Sequence, residues 1–326
     1  MATRLMRAVQ IAKFGGPELM QVVNIPVPKP AESQLLLKIL SAGVNPVDTY
    51  VRSGNISKLP DLPFTIGKDG AGIVEEVGEG VNGFKKGDRV FCTMAITGTY
   101  AEYALSDDTH TFPLSRNLSY EMGAALGIPY FTAYRALMIK ANAKAGDTVL
   151  VHGGSGAVGL AALQIARGKS MKILATAGTL PGMELVKKNG ADHVFNHREK
   201  DYLQDMMDAT DGRGVDVILE MLANVNLEHD LKMMAYAGRI VVIGSRGNVT
   251  IAPRLTMAKE STITGMALAN TSKEEWASIG KALVAGIEEG WVNPVIKHIY
   301  PLEETEEAHH EVMLSSGHLG KLLLKP

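Results

Sequence analysis

The stretch VLVHGGSGAVGLAALQIAR, Val149–Arg167, decides what the rest of this 326-residue chain folds around. An apolar, strand-like run ends near His152. Gly154, Gly156 and Gly159 follow it with G-x-G-x-x-G spacing, and a helix-like run begins within them. Such glycines allow a tight turn, close approach of the backbone to a pyrophosphate, and close packing of the helix. The N–H groups at the start of that helix attract phosphate, so the stretch predicts a dinucleotide-binding loop.

The sequence around the loop alternates strand-like and helix-like runs. The alternation extends from Asp147 to the run STITGMAL, Ser261–Leu268. It predicts a doubly wound parallel sheet with helices on both faces. One of the predicted helices, LEHDLKMMAYAG, ends at Gly238. Because of this context, a glycine-rich turn without a ligand is the weaker interpretation of the loop.

The first third of the chain has a different texture. Short β-prone runs such as LLLKILSAGVNP, Leu35–Pro46, are bounded by Gly, Pro, Asn or Asp, which predicts an antiparallel β-rich domain. The run from Tyr120 to Ala141 has helical apolar spacing, with a break predicted at Pro129. The tail from Thr271 is expected to return to the first domain.

Composition excludes several classes of protein. The net charge of −2 and a pI near 6.5 provide no basic field that would draw the chain to nucleic acid or membrane. Cys92 is the only cysteine, which excludes an internal disulfide and a Cys-rich zinc site and suits a reducing compartment. Neither a signal-like N-terminus nor an apolar run of about 18 residues is found. We therefore expect a soluble, cytoplasmic protein.

The second predicted Rossmann strand indicates which cofactor is bound. An NAD site usually places Asp or Glu after this strand, to bind the ribose hydroxyls. Here Lys172–Thr176 is followed by the neutral loop Ala177–Pro181, which leaves room for a 2′-phosphate. The loop therefore favours NADPH over NADH. His197 and Arg198, after the third strand, could reach that phosphate, and a simple surface position is the alternative for His197.

Longer motifs lie in order along nearly the whole chain. They are GVNPVDTYVRSG (Gly43–Gly54), GAGIVEEVG (Gly70–Gly78), FKKGDRV (Phe84–Val90), GTYAEY (Gly98–Tyr103), IPYFTAYRAL (Ile128–Leu137) and the glycine stretch. On these motifs the chain resembles the medium-chain dehydrogenase/reductase superfamily and, within it, the quinone oxidoreductases. Further segments are similar to the zeta-crystallin group, namely FNHRE (Phe195–Glu199), EMLANVNL (Glu220–Leu227), GSRG (Gly244–Gly247) and TMAKES (Thr256–Ser261).

This resemblance implies an α/β fold with two domains. A GroES-like β-rich catalytic domain would comprise residues 1–125 and 272–326, and a Rossmann NADPH-binding domain residues 126–271. The active site would lie in the cleft between them. The family commonly associates through the edge of the Rossmann sheet, here the run Ser261–Leu268, so a homodimer or homotetramer is expected.

The residues predict no metal site. Zinc-dependent alcohol dehydrogenases, which the chain resembles, have a zinc-binding Cys where Asn45 stands and a zinc-binding His where Lys68 stands. His193 and His197 lie in a predicted strand and would be roughly 13 Å apart, too far for one ion. The adjacent pair His309–His310 would face different directions on a helix.

Without a metal, alcohol oxidation lacks the Lewis acid that it needs. A quinone accepts electrons readily and can take its protons from solvent, so the cleft needs only to orient cofactor and acceptor. We expect a zinc-independent NADPH:quinone oxidoreductase acting on quinones, ortho-quinones among them. An NADPH-dependent enone or alkenal reductase is the alternative. The resemblance also includes structural crystallins and AU-rich RNA binding, which nothing in the composition supports.

Three residues are predicted to be catalytic. The resemblance places Tyr50 beside the nicotinamide and cofactor phosphates, with a packing tyrosine as the alternative. Asn45 lies with Asp48 in the former metal pocket, as polar lining. Thr132 would meet the nicotinamide ring, unless it is a structural threonine. Tyr130 is expected to line the acceptor pocket.

The remaining predicted cofactor contacts follow the Rossmann strands, because loops at the carboxyl ends of parallel strands bind ligands. With Tyr50, they are Ser155, Gly156, Ala157 and Val158 at the pyrophosphate, Gly178 and His197 at the adenosine phosphate, Asn226, Ile243, Gly244, Ser245 and Arg246 after the fourth and fifth strands, and Met266, Ala267 and Leu268 beside the nicotinamide. Arg246 could instead be a solvated surface arginine.

Overall fold

The structure is a computed structural model that describes residues 3–313 and 319–326. Its strands, β1 to β16, are Leu5–Ile11, Gln21–Pro26, Gln34–Val44, Phe64–Thr65, Asp69–Val77, Arg89–Cys92, Tyr103–Asp107, Thr111–Pro113, Thr148–Val151, Lys172–Ala177, His193–Asn196, Val215–Glu220, Met234–Val242, Thr262–Gly265, Ile296–Pro301 and Lys321–Lys325. Its α-helices, α1 to α10, are Pro46–Ser53, Tyr120–Ala124, Gly127–Tyr134, Ala157–Gly168, Leu180–Lys188, Tyr202–Asp208, Ala223–Met233, Arg254–Lys259, Lys273–Glu288 and Thr305–Met313. In this part of the chain, no helix has both the length and the apolar character needed to cross a membrane.

A parallel sheet of the Rossmann type forms the middle of the chain. Its strand order is β11-β10-β9-β12-β13-β14, and each neighbouring pair is parallel. The order reverses between β9 and β12, which opens a crevice at the carboxyl ends of these two strands. Both strands are buried along their whole length, as expected for a sheet covered on both faces. The predicted doubly wound sheet is confirmed.

The second large sheet is mostly antiparallel and combines both ends of the chain. Its order is β15-β16-β3-β5-β6-β8, with β7 paired to β3. Leu322–Leu324 of β16 pairs antiparallel with Ala42–Val44 of β3. The predicted return of the tail to the first part of the chain is therefore confirmed. A smaller antiparallel sheet, β2-β1-β4, completes this β-rich region among the described residues.

Two predicted helix limits are wrong. Helix α7 ends at Met233 instead of Gly238, because the chain enters the sheet at Met234, which pairs with Val215. The run that begins at Tyr120 breaks before Gly127 and not at Pro129. Pro129 lies in the first turn of α3, where a missing backbone N–H removes no intrahelical hydrogen bond.

The glycine loop connects β9 to α4 as predicted. A Cβ added at Gly159 would lie 2.4 Å from the backbone oxygen of Gly153, so only glycine lets the helix pack this closely on the turn. At Gly156 the nearest atom to an added Cβ is 3.6 Å away, again the oxygen of Gly153. The loop surface is therefore open at Gly156, where a pyrophosphate would approach.

Gln164 of α4 holds that helix against α3 and against the segment that precedes β15. Its side-chain oxygen accepts hydrogen bonds from Tyr130 Oη at 2.6 Å and from the Asn293 backbone N–H at 2.9 Å. Its side-chain nitrogen donates to the Asn293 oxygen at 2.8 Å. Tyr130 is buried with its hydroxyl directed at Gln164. The polar tip of Tyr130 therefore holds α3 against α4, and its place in the acceptor pocket stays a prediction.

We expect the substitution Gly159→Ala to lower the free energy of unfolding by about 1–3 kcal/mol, because the new methyl group would overlap backbone that cannot move aside. Urea denaturation measures the change. Gly265→Ala is the control, since an added Cβ there meets no atom within 4 Å. Equal losses in the two variants would contradict this account of the loop.

Candidate active site

The predicted pyrophosphate loop is partly covered by the C-terminal segment. Ser155 is buried, and Gly156, Ala157 and Val158 are half-buried at the start of α4. The backbone N–H of Gly320 donates to the oxygen of Ser155 at 2.8 Å, and Gly156 and Gly320 form an isolated β-bridge. The residue after Gly320 begins β16, so the loop is in contact with the β-rich region.

The structure brings together the residues predicted at the adenosine phosphate. A Cβ added at Gly178 would lie 2.8 Å from His197 Nε2 and 2.9 Å from Arg198 Nε. Burial, followed by the charges of Arg198 and His152, lowers the pKa of His197. At neutral pH, Arg198 therefore carries the positive charge, while His197 offers a neutral ring N–H. This is a donor set suited to a phosphate.

At the ends of β12 and β13, some of the predicted cofactor contacts are held by hydrogen bonds to Glu220, and others are exposed. The side-chain nitrogen of Asn226 donates to Glu220 Oε1 at 3.2 Å, so this amide is held against the sheet. The backbone N–H groups of Ile243 and Gly244 donate to the backbone carbonyl oxygen of Glu220 at 2.8 and 3.2 Å. By contrast, Ser245 and Arg246 are exposed.

The segment after β14, predicted to flank the nicotinamide, is held by Arg135. Met266 is buried, while Ala267 is exposed and Leu268 half-buried. Arg135 Nη1 donates to the Ala267 oxygen at 3.2 Å, and its Nε donates to Glu275 at 2.8 Å. Arg135 was not among the predicted site residues, although an arginine within an apolar helical run was a signal that could have found it.

Asn45 lies in a buried polar pocket centred on Asp69. The Asp69 carboxylate accepts hydrogen bonds from Asn45 Nδ2 at 2.9 Å, from Thr93 Oγ1 at 2.8 Å and from the Ile128 N–H at 3.0 Å. Lys321 Nζ lies 3.5 Å from Asp69 Oδ2 and donates to Asn45 Oδ1. The pocket that the resemblance assigns to zinc in alcohol dehydrogenases thus contains a lysine ammonium, which the sequence analysis missed.

Asp48 lies beside this pocket in α1. Its Oδ2 accepts from the Asn45 backbone N–H at 2.9 Å and from Tyr100 Oη at 3.0 Å. Burial, and then the charge of Asp69, raises the pKa of Asp48 to about 7. His309 Nε2 lies 3.3 Å from Tyr100 Oη, so the Asp48 carboxyl is the inner end of a buried polar chain.

The other two predicted catalytic side chains have free hydroxyls. Tyr50 is half-buried on α1 and Thr132 is buried on α3. Among residues 3–313 and 319–326, neither hydroxyl has a hydrogen-bond partner. The predicted roles of Tyr50 and Thr132 at the nicotinamide stay predictions.

A second group of buried ionisable side chains lies outside this pocket. Within the described ranges, His152, Glu220 and Asp230 alone bring three possible metal ligands close together, with ligand atoms within 4.8 Å of one another. They lie beneath the glycine loop, in the Rossmann sheet and α7. The sequence analysis did not consider them, because the three residues are far apart in the chain.

We expect the stability of the wild type to fall as pH rises from about 4 to 7, since Asp48 binds a proton more tightly in the folded than in the unfolded state. Asp48→Asn keeps an acceptor for Asn45 and Tyr100 but cannot ionise. It should flatten this dependence and raise the free energy of unfolding at pH 8 by up to roughly 4 kcal/mol.

Urea denaturation at a series of pH values measures the effect. The control is Asp108→Asn, at an exposed carboxylate. A pH dependence in Asp48→Asn as steep as in the control would show that Asp48 titrates normally.

Comparisons with known proteins agree with this geometry. The family model described as "Alcohol dehydrogenase GroES-like domain" matches residues 31–116, and that described as "Zinc-binding dehydrogenase" matches residues 157–284. The chain is 53% identical to a rat quinone oxidoreductase and 52% identical to a human one, over 98% of each chain.

Among solved structures, an Escherichia coli quinone oxidoreductase complexed with NADPH superposes with a TM-score of 0.87 at 29% identity. The match covers 98% of this chain and 100% of that one. Full-length identity above half, together with the Rossmann and GroES-like regions, places the protein within one family. The chain belongs to the quinone oxidoreductases of the medium-chain dehydrogenase/reductase superfamily.

Proposed function

We propose that this protein is a zinc-independent NADPH:quinone oxidoreductase, which transfers electrons from NADPH to quinones, ortho-quinones among them. The observation that carries the proposal is the pairing of Gly178 with His197 and Arg198 at the end of β10, where no carboxylate opposes a 2′-phosphate. Two kinds of similar protein support it, namely the quinone oxidoreductases of high identity and the one solved with NADPH.

Each part of the cleft then has its own task. Residues 155–158 and the start of α4 would bind the pyrophosphate, and Arg198 with His197 the 2′-phosphate. When bound, NADPH supplies the electrons that reduce the quinone. Arg135 would hold the Ala267 segment against the nicotinamide, while Tyr50 and Thr132 offer their hydroxyls to the ring or the acceptor. In this proposal the catalytic domain comprises residues 1–125 and 272–326, and the Rossmann domain residues 126–271.

The side chains of the Asp69 pocket do not suit zinc. Asn45, at the position of a zinc-binding Cys, is hydrogen bonded to Asp69 and Lys321. A buried ammonium beside these groups repels a second cation, and an amide is a poorer zinc ligand than a thiolate. A quinone can be reduced without metal assistance, because it accepts electrons readily.

The oligomeric state, the location in the cell and the alternative functions are separate proposals. A homodimer or homotetramer through β14 follows from the family resemblance. A cytoplasmic location is supported by the presence of a single cysteine, Cys92, which suits a reducing compartment. Cys92 is buried, and burial raises its pKa to about 12, so the thiol is a poor nucleophile. Reduction of an enone or alkenal C=C bond would use the same scaffold. A crystallin or RNA-binding role would need no turnover.

Activity assays separate these functions. Chelator-treated protein is mixed with an ortho-quinone and either NADPH or NADH, and cofactor oxidation is followed by absorbance. NADPH-selective oxidation with a hydroquinone or semiquinone product supports the proposal. A saturated C=C bond formed from an alkenal, without quinone turnover, would favour the alternative enzyme. NADPH binding without either reaction would contradict both enzyme functions.

We expect Arg198→Ala to raise the KM for NADPH about tenfold or more, because a charge-assisted hydrogen bond to the 2′-phosphate is lost. The KM for NADH, which lacks that phosphate, should change little. Arg116→Ala, at an exposed arginine in the β-rich region, is the matched control. If the two KM values for Arg198→Ala rise in parallel, Arg198 does not select the cofactor.

A further inference from the structure

His152, Glu220 and Asp230 form a buried cluster directly beneath the dinucleotide cleft, here called the acid–histidine cluster. His152 follows β9, Glu220 ends β12, and Asp230 lies on α7. Their exposed fractions are 3%, 0% and 0%. His152 Nε2 lies 2.8 Å from Asp230 Oδ1 and 3.6 Å from Glu220 Oε2.

The cluster contains two carboxylate oxygens without a donor. Glu220 Oε2 and Asp230 Oδ2 are buried and have no hydrogen-bond partner among the described residues. Two ionised carboxylates this close in a dry interior would repel each other strongly. The ligand atoms of the cluster lie within 4.8 Å of one another. One proton on the pair removes this repulsion and leaves the two carboxyls with a single negative charge. Consistently, burial raises the pKa of each carboxyl to about 7.

Hydrogen bonds connect the cluster to both sides of the cleft. Glu220 Oε1 accepts from the Leu222 N–H and from Asn226, the predicted cofactor contact. On the other side, His152 Nδ1 lies 3.4 Å from Thr176 Oγ1, which accepts from the N–H of Gly153 in the glycine loop at 3.2 Å. A change of charge in the cluster would therefore be felt at both the loop and Asn226.

Few other charges act on the cluster. Tyr202 of α6 lies near both carboxyls, and its pKa is raised by burial and then by Asp230 and Glu220. His197, beyond β11, lies near His152, and the charge of Arg198 acts on His197. In the described ranges, no lysine or arginine forms an ion pair with either carboxylate. Burial lowers the pKa of His152, although the charge of Glu220 acts in the opposite direction, so the imidazole is neutral near pH 7. The proton on the carboxyl pair therefore decides the net charge beneath the loop.

We propose that Glu220 and Asp230 share one proton, and that this protonated pair positions Asn226 and the glycine loop for NADPH. The proposal rests on the proposed function for its ligand. Loss of the proton at alkaline pH would leave two negative charges behind a loop that must bind anionic phosphates. It would also drive the two carboxylates apart and so displace Asn226. By linkage, bound NADPH would make the pair hold its proton more tightly.

The test compares NADPH binding by wild type and Glu220→Gln between about pH 6 and pH 9. Glutamine keeps the oxygen that accepts from Leu222 and Asn226, and its amide N–H replaces the shared proton toward Asp230. The Kd of the wild type, measured by fluorescence titration, should rise about three- to tenfold across this range. The Kd of Glu220→Gln for NADPH should change much less than that of the wild type over the same pH range.

Two further variants complete the design. Asp230→Asn presents an oxygen to His152 and an N–H to Glu220, so it should behave like Glu220→Gln and replace it if that variant does not fold. Glu228→Gln is the control on the same helix, at a surface glutamate paired with Lys232. Titration of the cofactor phosphate and of His197 affects every variant alike, so only the differences between variants report on the cluster.

Several results would overturn the proposal. One is a dependence of the NADPH Kd on pH that is the same in Glu220→Gln and Asp230→Asn as in the control Glu228→Gln. Another is loss of NADPH affinity after chelator treatment of the wild type, which would place a metal ion at the cluster instead of a proton. The infrared band of a protonated carboxyl should weaken in both variants, and an unchanged band would also contradict the proposal.

The readouts keep this inference separate from the proposed function. Binding is measured without a quinone, so the expected pH profile in a protein that does not reduce quinones would overturn the enzyme function alone. If the protein reduces quinones but NADPH binding by the wild type and by the cluster variants has the same pH profile, only the shared-proton proposal is overturned.

Discussion

Two adjacent residues of the C-terminal segment join the two halves of the candidate site. The N–H of Gly320 is bonded to Ser155 in the glycine loop, and the ammonium of Lys321 is bonded to Asn45 and paired with Asp69. The first contact places the segment on the dinucleotide cleft, and the second places it in the catalytic pocket. Both depend on β16 pairing with β3, so the pocket is complete only when the end of the chain has returned.

Buried charge organises the rest of the site. Asp69 receives hydrogen bonds from Asn45, Thr93 and Ile128 and is paired with Lys321. The pKa of Asp48 is raised first by burial and then by the negative charge of Asp69, while the charge of Lys321 acts in the opposite direction. Removal of one partner from such a pair leaves a buried charge uncompensated, which is more destabilising than the pair is stabilising. The pocket therefore holds a defined arrangement of charges instead of an adaptable one.

These arrangements suit an enzyme that positions its reactants and does little acid–base chemistry of its own. Arg135 fixes the segment beside the predicted nicotinamide position, and Gln164 fixes α3 against α4. The hydroxyls of Tyr50 and Thr132 are the polar groups that we propose contact ligands. For a flat substrate that accepts electrons readily, the cleft needs to provide little more than orientation.

The sequence by itself determined the Rossmann alternation, the glycine loop and the neutral loop after β10. Each depends on residues close together in the chain, through glycine sterics, strand and helix periodicity, or a missing carboxylate. The β-rich fold and the activity came from motifs that resemble a known family. One local signal also misled, since Pro129 stays within a helix.

Only the tertiary structure decided which buried groups meet. Lys321 and Asp69 are 252 positions apart, and His152 and Asp230 are 78 apart. No periodicity or short motif records such a pairing, because it depends on how strands are ordered in a sheet and which helix covers them. Burial then sets the protonation of these groups, since removal from water penalises charge wherever no partner compensates it.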